Sequence, residues 1–256
     1  MSLPPVRIGT SGWIYKHWRG GFYPPGLPQR RWLEFYAEHF DSVDVNFSFC
    51  RLSERATFES WRRRAPPGFA YAVEGSRYVT HLKHLHDPEE HVALFFERVA
   101  GLGDAVGPIL WRRPPRLRRD DARLRAFLAT LPPGYQNAIE FRHESWLAEP
   151  VFDRLAARGV ALCIPDHPRL PRALRLTAGW SYIRFHYPRR APRDDGNGGR
   201  DPDTDGDYPP QELALWAERI RRFQAQGAAV WADFNNDQPG FAVTDAQVLR
   251  TLHASE

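Results

Sequence analysis

A single closed (β/α)8 barrel of the TIM type is the α/β fold this sequence predicts, and three observations predict it. Apolar runs of strand length alternate with amphipathic stretches of helical period, the pattern of β/α units rather than of a sandwich or a bundle. Eight such runs are present, the number a closed parallel barrel needs. The chain has 256 residues, close to the length of about 250 typical of that architecture. A composition of 42% hydrophobic and 26% charged residues excludes disorder, collagen and coiled coil as descriptions of the whole.

In chain order the strand candidates are Arg7 to Thr10, Ser42 to Phe47, Phe69 to Glu74, Pro108 to Trp111, Asn137 to Phe141, Val160 to Pro165, Ser181 to His186 and Ala228 to Phe234. The stretches between them carry helical stripes: Trp32, Leu33, Tyr36 and Phe40; Phe58 and Trp61; Val92, Phe95, Phe96 and Val99; Leu124, Phe127, Leu128 and Leu131; Leu213, Trp216 and Ile220. Start signals accompany several of them. Ser53 can cap the second stripe, Asp87-Pro88-Glu89-Glu90 reads as a cap with a proline and a capping-box Glu, and Pro209-Pro210-Gln211-Glu212 opens the last. His167 to Thr177, broken by Pro168 and Pro171, does not read as a helix, so the sixth unit should be irregular. The sequence reads as one domain over 1–256, with a mobile Asp/Gly/Arg/Pro-rich loop at 189–207 on the face where barrel enzymes keep their sites.

Strand alternation sorts the side chains. Ile139, Phe141, Ile183 and Phe185 should pack outward, while Glu140, Arg142, Tyr182, Arg184, His186, Trp231, Asp233, Asn235, Asp44 and Asn46 point into the barrel. Barrels usually fill with branched apolar residues, so this much inward charge needs partners, a ligand, or both. One arrangement is a closed set of ion pairs, Glu140 with Arg142 and Asp233 with Arg184. The other is a pocket at the C-terminal face ringed by Asp44, Glu74, Glu140, Arg142, Asp166, Arg184, His186, Asp233 and Asn235.

The charge is +4 with a pI of about 9.3, carried almost wholly by arginine because Lys16 and Lys83 are the only lysines. Arginine suits bidentate contact with phosphate or carboxylate, so the balance favours an anionic ligand. Cys50 and Cys163 are too few for a disulfide framework, and no apolar run is long enough to span a membrane. A strand beginning at Val6 leaves little room for a targeting segment, so a cytoplasmic protein with no membrane partner is expected.

The motifs Ile8-Gly9-Thr10-Ser11-Gly12-Trp13, Trp18-Arg19-Gly20, Phe22-Tyr23-Pro24, Asp44-Val45-Asn46, Ser76-Arg77-Tyr78-Val79-Thr80-His81, Glu140-Phe141-Arg142-His143 with Ser145-Trp146, and Phe234-Asn235-Asn236-Asp237 resemble the YecE-like family, domain of unknown function 72. Order and spacing match over almost the whole chain. The resemblance implies a TIM-type barrel, in agreement with the strand count, and names no activity. The chain departs from the family pattern at four places: Arg112-Arg113-Pro114-Pro115 for Gln-Leu-Pro-Pro, Asn46-Phe47-Ser48-Phe49-Cys50 for Asn-Ser-Thr-Phe-Tyr, Glu74 for Lys, and His186-Tyr187 for His-Gly.

Metal signals are weak. Asp201, Asp203 and Asp205 with Glu212 match the spacing of a calcium loop but lack a preceding helix. Glu140, His143, Asp166, His186 and Asp233 could supply ligands to a divalent ion, although no paired-His spacing supports one, and no other cofactor is indicated. The reading that uses most of these residues is an enzyme of hydrolase or phosphoesterase type. Its substrate would be phosphorylated or nucleic-acid-like, with Glu140, His143, His186 and Asp233 for proton transfer. Binding would fall to Thr10, Trp13, Asp44, Asn46, Glu74, Arg77, His81, Arg142, Trp146, Arg184, Asn235 and Asn236. Two alternatives remain at this stage: a glycosidase using a carboxylate pair, and a non-catalytic nucleic-acid binder that stacks bases on Trp13, Trp18 and Trp111.

Overall fold

The computed structural model describes residues 3–188, 206–238 and 240–255. Each predicted strand is present within two residues of its expected bounds. They are β1 (Val6–Thr10), β2 (Ser42–Val45), β3 (Ala70–Glu74), β4 (Val106–Arg112), β5 (Asn137–Glu140), β6 (Ala161–Asp166), β7 (Trp180–Phe185) and β8 (Ala229–Phe234). All pair in parallel, in the order β1-β8-β7-β6-β5-β4-β3-β2. The seam between β1 and β2 closes through a bridge of Ser11 with Asp44, where the Gly12 N–H donates to the Asp44 carbonyl at 2.8 Å. Gly9 makes this approach sterically feasible, because a Cβ there would lie 2.4 Å from the Ser42 carbonyl oxygen.

Helices α1 (Trp32–His39), α2 (Phe47–Cys50), α3 (Arg55–Arg64), α4 (Glu89–Val99), α5 (Asp121–Thr130), α6 (Glu149–Ala156), α7 (Pro210–Ala225) and α8 (Phe241–Ala254) lie between and after the strands. Their stripes bury as predicted, with Trp32, Phe58, Phe95, Phe127 and Trp216 all packed against outward strand residues such as Ile139, Ile183 and Phe185. No helix forms over 167–179, as the two prolines require.

Two start signals are corrected. Pro88 rather than Asp87 caps α4, and Asp87 instead takes a positive φ of 40°. Glu54 rather than Ser53 precedes α3. A true side-chain cap occurs at Asp120, which accepts from the Arg123 N–H at 2.9 Å.

The lower barrel interior is apolar, and it pairs large with small. Trp180, Trp231, Tyr182 and Leu110 interdigitate with Ala70, Ala72, Ala138 and Ala161. Above this layer the inward positions turn ionic, so the polar residues gather at the C-terminal ends of the strands. No described helix is long and apolar enough to cross a membrane. The loop predicted over 189–207 lies outside the described residues except for Gly206 and Asp207.

Candidate functional site

Parity and register bring four strand ends together. Arg184 on β7 donates from Nη2 to Asp44 Oδ2 at 2.9 Å and from Nη1 to Glu140 Oε2 at 3.2 Å. Arg142, just past β5, donates from Nε to Glu140 Oε1 at 2.6 Å. Ser11 Oγ adds a second donor to Asp44 Oδ2, at 2.9 Å. Asp44, Glu140 and Arg184 are each at most 1% exposed, so this is a desolvated network rather than a surface ion pair. Burial alone would push Glu140 up, yet Arg142, the neighbouring His186 and Arg184 together hold it well below the usual carboxylate range.

The expected pair of Asp233 with Arg184 does not form. Their Cα atoms are partners in the β7–β8 register, but the Arg184 guanidinium crosses the barrel to Asp44 and Glu140. Neither oxygen of Asp233 has a hydrogen-bond partner among the described residues. Burial first, and repulsion by Asp44 second, raise its carboxyl well above the ordinary range.

His186 stands 3.6 Å from Glu140 through Nε2, while Asn235 Nδ2 approaches its Nδ1 at 3.2 Å. An amide nitrogen can only donate, so Nδ1 accepts and Nε2 carries the proton towards Glu140. Burial lowers this imidazole to about 4, leaving it neutral.

Glu74 and Arg112 form an ion pair at 2.6 Å at the ends of β3 and β4. Two of the departures from the family pattern are therefore one feature: the cation expected on strand three sits on strand four, facing the acid that replaced it. Burial drives Glu74 up to about 7 despite Arg112. The Arg112 guanidinium lies 4.2 Å over the Phe49 ring, whose edge meets His81 at 4.9 Å. His81 is half-buried on a π-helical turn, Tyr78–Leu82, with Nδ1 on Thr80 Oγ1 at 2.8 Å. Burial and then four arginines, Arg112, Arg142, Arg113 and Arg77, push it down to about 4. Arg142 donates from Nε to Glu140, Arg112 Nε lies against Glu74 without a hydrogen bond to it, and the terminal nitrogens of both make no hydrogen bond among the described residues.

Next to Asp44 and Ser11 lies a concavity of about 540 Å³, lined by Trp13, Tyr15, Val45, Asn46, Phe47, Leu52 and Trp61. Sequence reasoning placed Trp13 and Asn46 at the site but missed the cleft, since Trp61 and Leu52 come from the next β/α unit.

Other expected residues serve elsewhere. Thr10 Oγ1 is bound to Tyr36 and the Gly12 carbonyl. His143 caps the turn Glu144–Trp146 through Nδ1, accepting from the Ser145 N–H at 3.2 Å. Trp146 is fully buried, stacked on Phe141 at 4.7 Å. Asn236 ties the Gly206 carbonyl to Asp245. Asp166 has outward parity on β6, where Trp216 Nε1 donates to it at 2.9 Å and Arg172 pairs with it. It therefore does not ring the mouth. Arg77 is exposed at the rim. Asp201, Asp203 and Asp205 lie outside the described residues, and Glu212 stands in the first turn of α7. No cluster of three or more His, Cys, Asp or Glu able to hold a metal occurs among the described residues.

A profile described as protein of unknown function DUF72 matches residues 7–256. The chain is 22% identical over 268 residues to the UPF0759 protein YunF of Bacillus subtilis, covering 96% of this chain and 94% of that one. It is 25% identical over 156 residues to the UPF0759 protein YecE of Escherichia coli K12, 60% of this chain and 55% of the other. A crystal structure of a DUF72 family protein from Thermotoga maritima superposes with a TM-score of 0.84 at 25% identity, covering 97% of this chain and 98% of that chain. One from Enterococcus faecalis does so at 0.80 and 19% identity, covering 97% and 95%.

Proposed function

The chain belongs to the DUF72 family, and from that premise we propose that it is an enzyme acting on a small phosphorylated substrate held at the barrel mouth, by phosphoester hydrolysis. One observation carries this reading: Arg142 is anchored through Nε to buried Glu140, Arg112 is held by charge against buried Glu74, and the terminal nitrogens of both make no hydrogen bond among the described residues. A guanidinium fixed at Nε loses little freedom when its fork closes on phosphate oxygens, so such an anchor favours bidentate binding. Burial first, and then four arginines, lower His81, and a phosphate would offset the second of these causes.

Roles follow from protonation. Glu74, titrating near 7, can give up a proton at neutral pH, whereas Glu140 is held ionised by its arginines and acts as a brace. His81 is neutral and rises towards the working range when a dianion binds beside it, which suits a proton acceptor for an attacking water. His186 is a positioning residue, its acceptor nitrogen being engaged by Asn235. Asp44, Glu74 and Glu140 are each paired with arginine, which counts against the glycosidase reading. Trp18 and Trp111 are buried, which counts against base stacking on them.

The test is calorimetric titration with inorganic phosphate alongside turnover of p-nitrophenyl phosphate. Phosphate binding that weakens about 10-fold or more in Arg142→Gln, consistent with loss of a charge-assisted contact, supports the proposal. No detectable phosphate binding at millimolar concentration overturns it.

A further inference from the structure

The aromatic cleft and the arginine mouth are separated by a single helical turn. Helix α2 places Phe47 in the cleft wall and Phe49 under the Arg112 guanidinium, two residues apart. The inner edge of the cleft is tied to the ionic network directly. The Gly12 N–H donates to the Asp44 carbonyl at 2.8 Å, and the Tyr15 hydroxyl donates to the Ser11 carbonyl at 2.6 Å. Ser11 in turn binds Asp44 Oδ2, the oxygen that Arg184 also holds.

The lining chemistry is specific. Trp13 and Trp61 meet edge to face at 5.3 Å, a geometry that leaves a fixed aromatic corner rather than a collapsed stack. Phe47 and Ile14 close the open side while 60% and 52% exposed, which is costly for large apolar groups unless something covers them. The volume of about 540 Å³ lies within the range of about 300 to 1,000 Å³ usual for small-molecule pockets.

We infer that the cleft holds the aromatic body of the same ligand whose phosphate lies on Arg112 and Arg142. The preferred substrate class is then an aryl or aryl-bearing phosphate monoester. This inference rests on the anion-binding reading of the mouth and adds the specificity element to it. Asn46, at the boundary between the two sites, is placed to meet the linking atoms.

The experiment compares 1-naphthyl phosphate, inorganic phosphate and 1-naphthol by calorimetry on the full chain. The account expects 1-naphthyl phosphate to bind at least about 10-fold tighter than phosphate, since burying one aromatic ring in place of water contributes on this scale. Phe47→Ala, at an exposed position that folding does not depend on, should erase most of that advantage and leave phosphate affinity unchanged. Thr57→Phe, which fills the cleft from α3, should do the same by exclusion. Equal affinities for the two phosphates, with phosphate still bound, overturn the aromatic subsite and leave the anion site standing. Binding of 1-naphthol without any phosphate binding overturns the joined ligand and the proposed function together.

Discussion

Two regions of the barrel interior treat buried acids in opposite ways. In one, Asp44 and Glu140 share Arg184, and Glu140 also holds Arg142, so burial is offset by charge. Asp233, the register partner of Arg184, is equally buried, and neither of its oxygens makes a hydrogen bond or ion pair among the described residues. Glu140 is held well below the ordinary carboxylate range, and Asp233 is pushed well above it. The lesson is that exposure does not set protonation in this barrel. The reach of one guanidinium decides which carboxyl keeps its charge, and the mouth above gains a fixed anionic floor under free arginine forks.

The comparison breaks most visibly at Arg184. Arg184→Met leaves Asp44 and Glu140 buried without their shared cation and should cost about 3 to 5 kcal/mol in chemical denaturation. A loss under about 1 kcal/mol means that the network does not stabilise the fold. Asp233→Asn sharpens the contrast, because it replaces a carboxyl that burial pushes up with a neutral side chain of the same shape. At low pH, where this carboxyl is neutral in the folded and unfolded chain alike, the change should stay within about 1 kcal/mol. A raised carboxyl favours the fold at low pH and loses that contribution as pH rises through its folded-state value, so the variant should gain on the wild type towards alkaline pH. An advantage that shrinks with pH contradicts the assignment. Glu74 gives the smallest effect. With its carboxyl raised from 4.5 to about 7, wild-type stability should decline across that window as pH increases. Glu74→Gln should flatten this part of the curve, and an unchanged slope would remove Glu74 as the neutral-pH titrating group.

Much of the fold was legible because parallel barrel strands buried on one side by helices and on the other by the barrel centre keep strict alternation. Tyr182, Arg184 and Asp233 fell on the inner face as parity required. Partnership was not legible in the same way, since Arg184 and Asp233 are register neighbours that do not pair. Alternation gives the face of a side chain, whereas a long guanidinium chooses its partner across the barrel. Asp166 shows the cost of setting parity aside: it follows inward Ala161 and Cys163 by an odd step and packs on Trp216 instead. His143 and Trp146 belong to a motif that looks chemical and proves to be a capped turn over the core. Arg113 is the converse case. Where the family pattern has leucine, it lies buried 5.7 Å from the Trp146 ring with no hydrogen bond from its guanidinium among the described residues, and burial lowers it to about 9.

The central claim is that the mouth is a positive anion site, and His81 is its built-in reporter. An NMR pH titration of the His81 ring, without and with saturating phosphate, tests it directly. The account predicts a midpoint of about 4 in the free protein that climbs when phosphate binds, because the anion offsets Arg112 and Arg142. A midpoint near the ordinary histidine value of about 6.5 that phosphate does not move would contradict it.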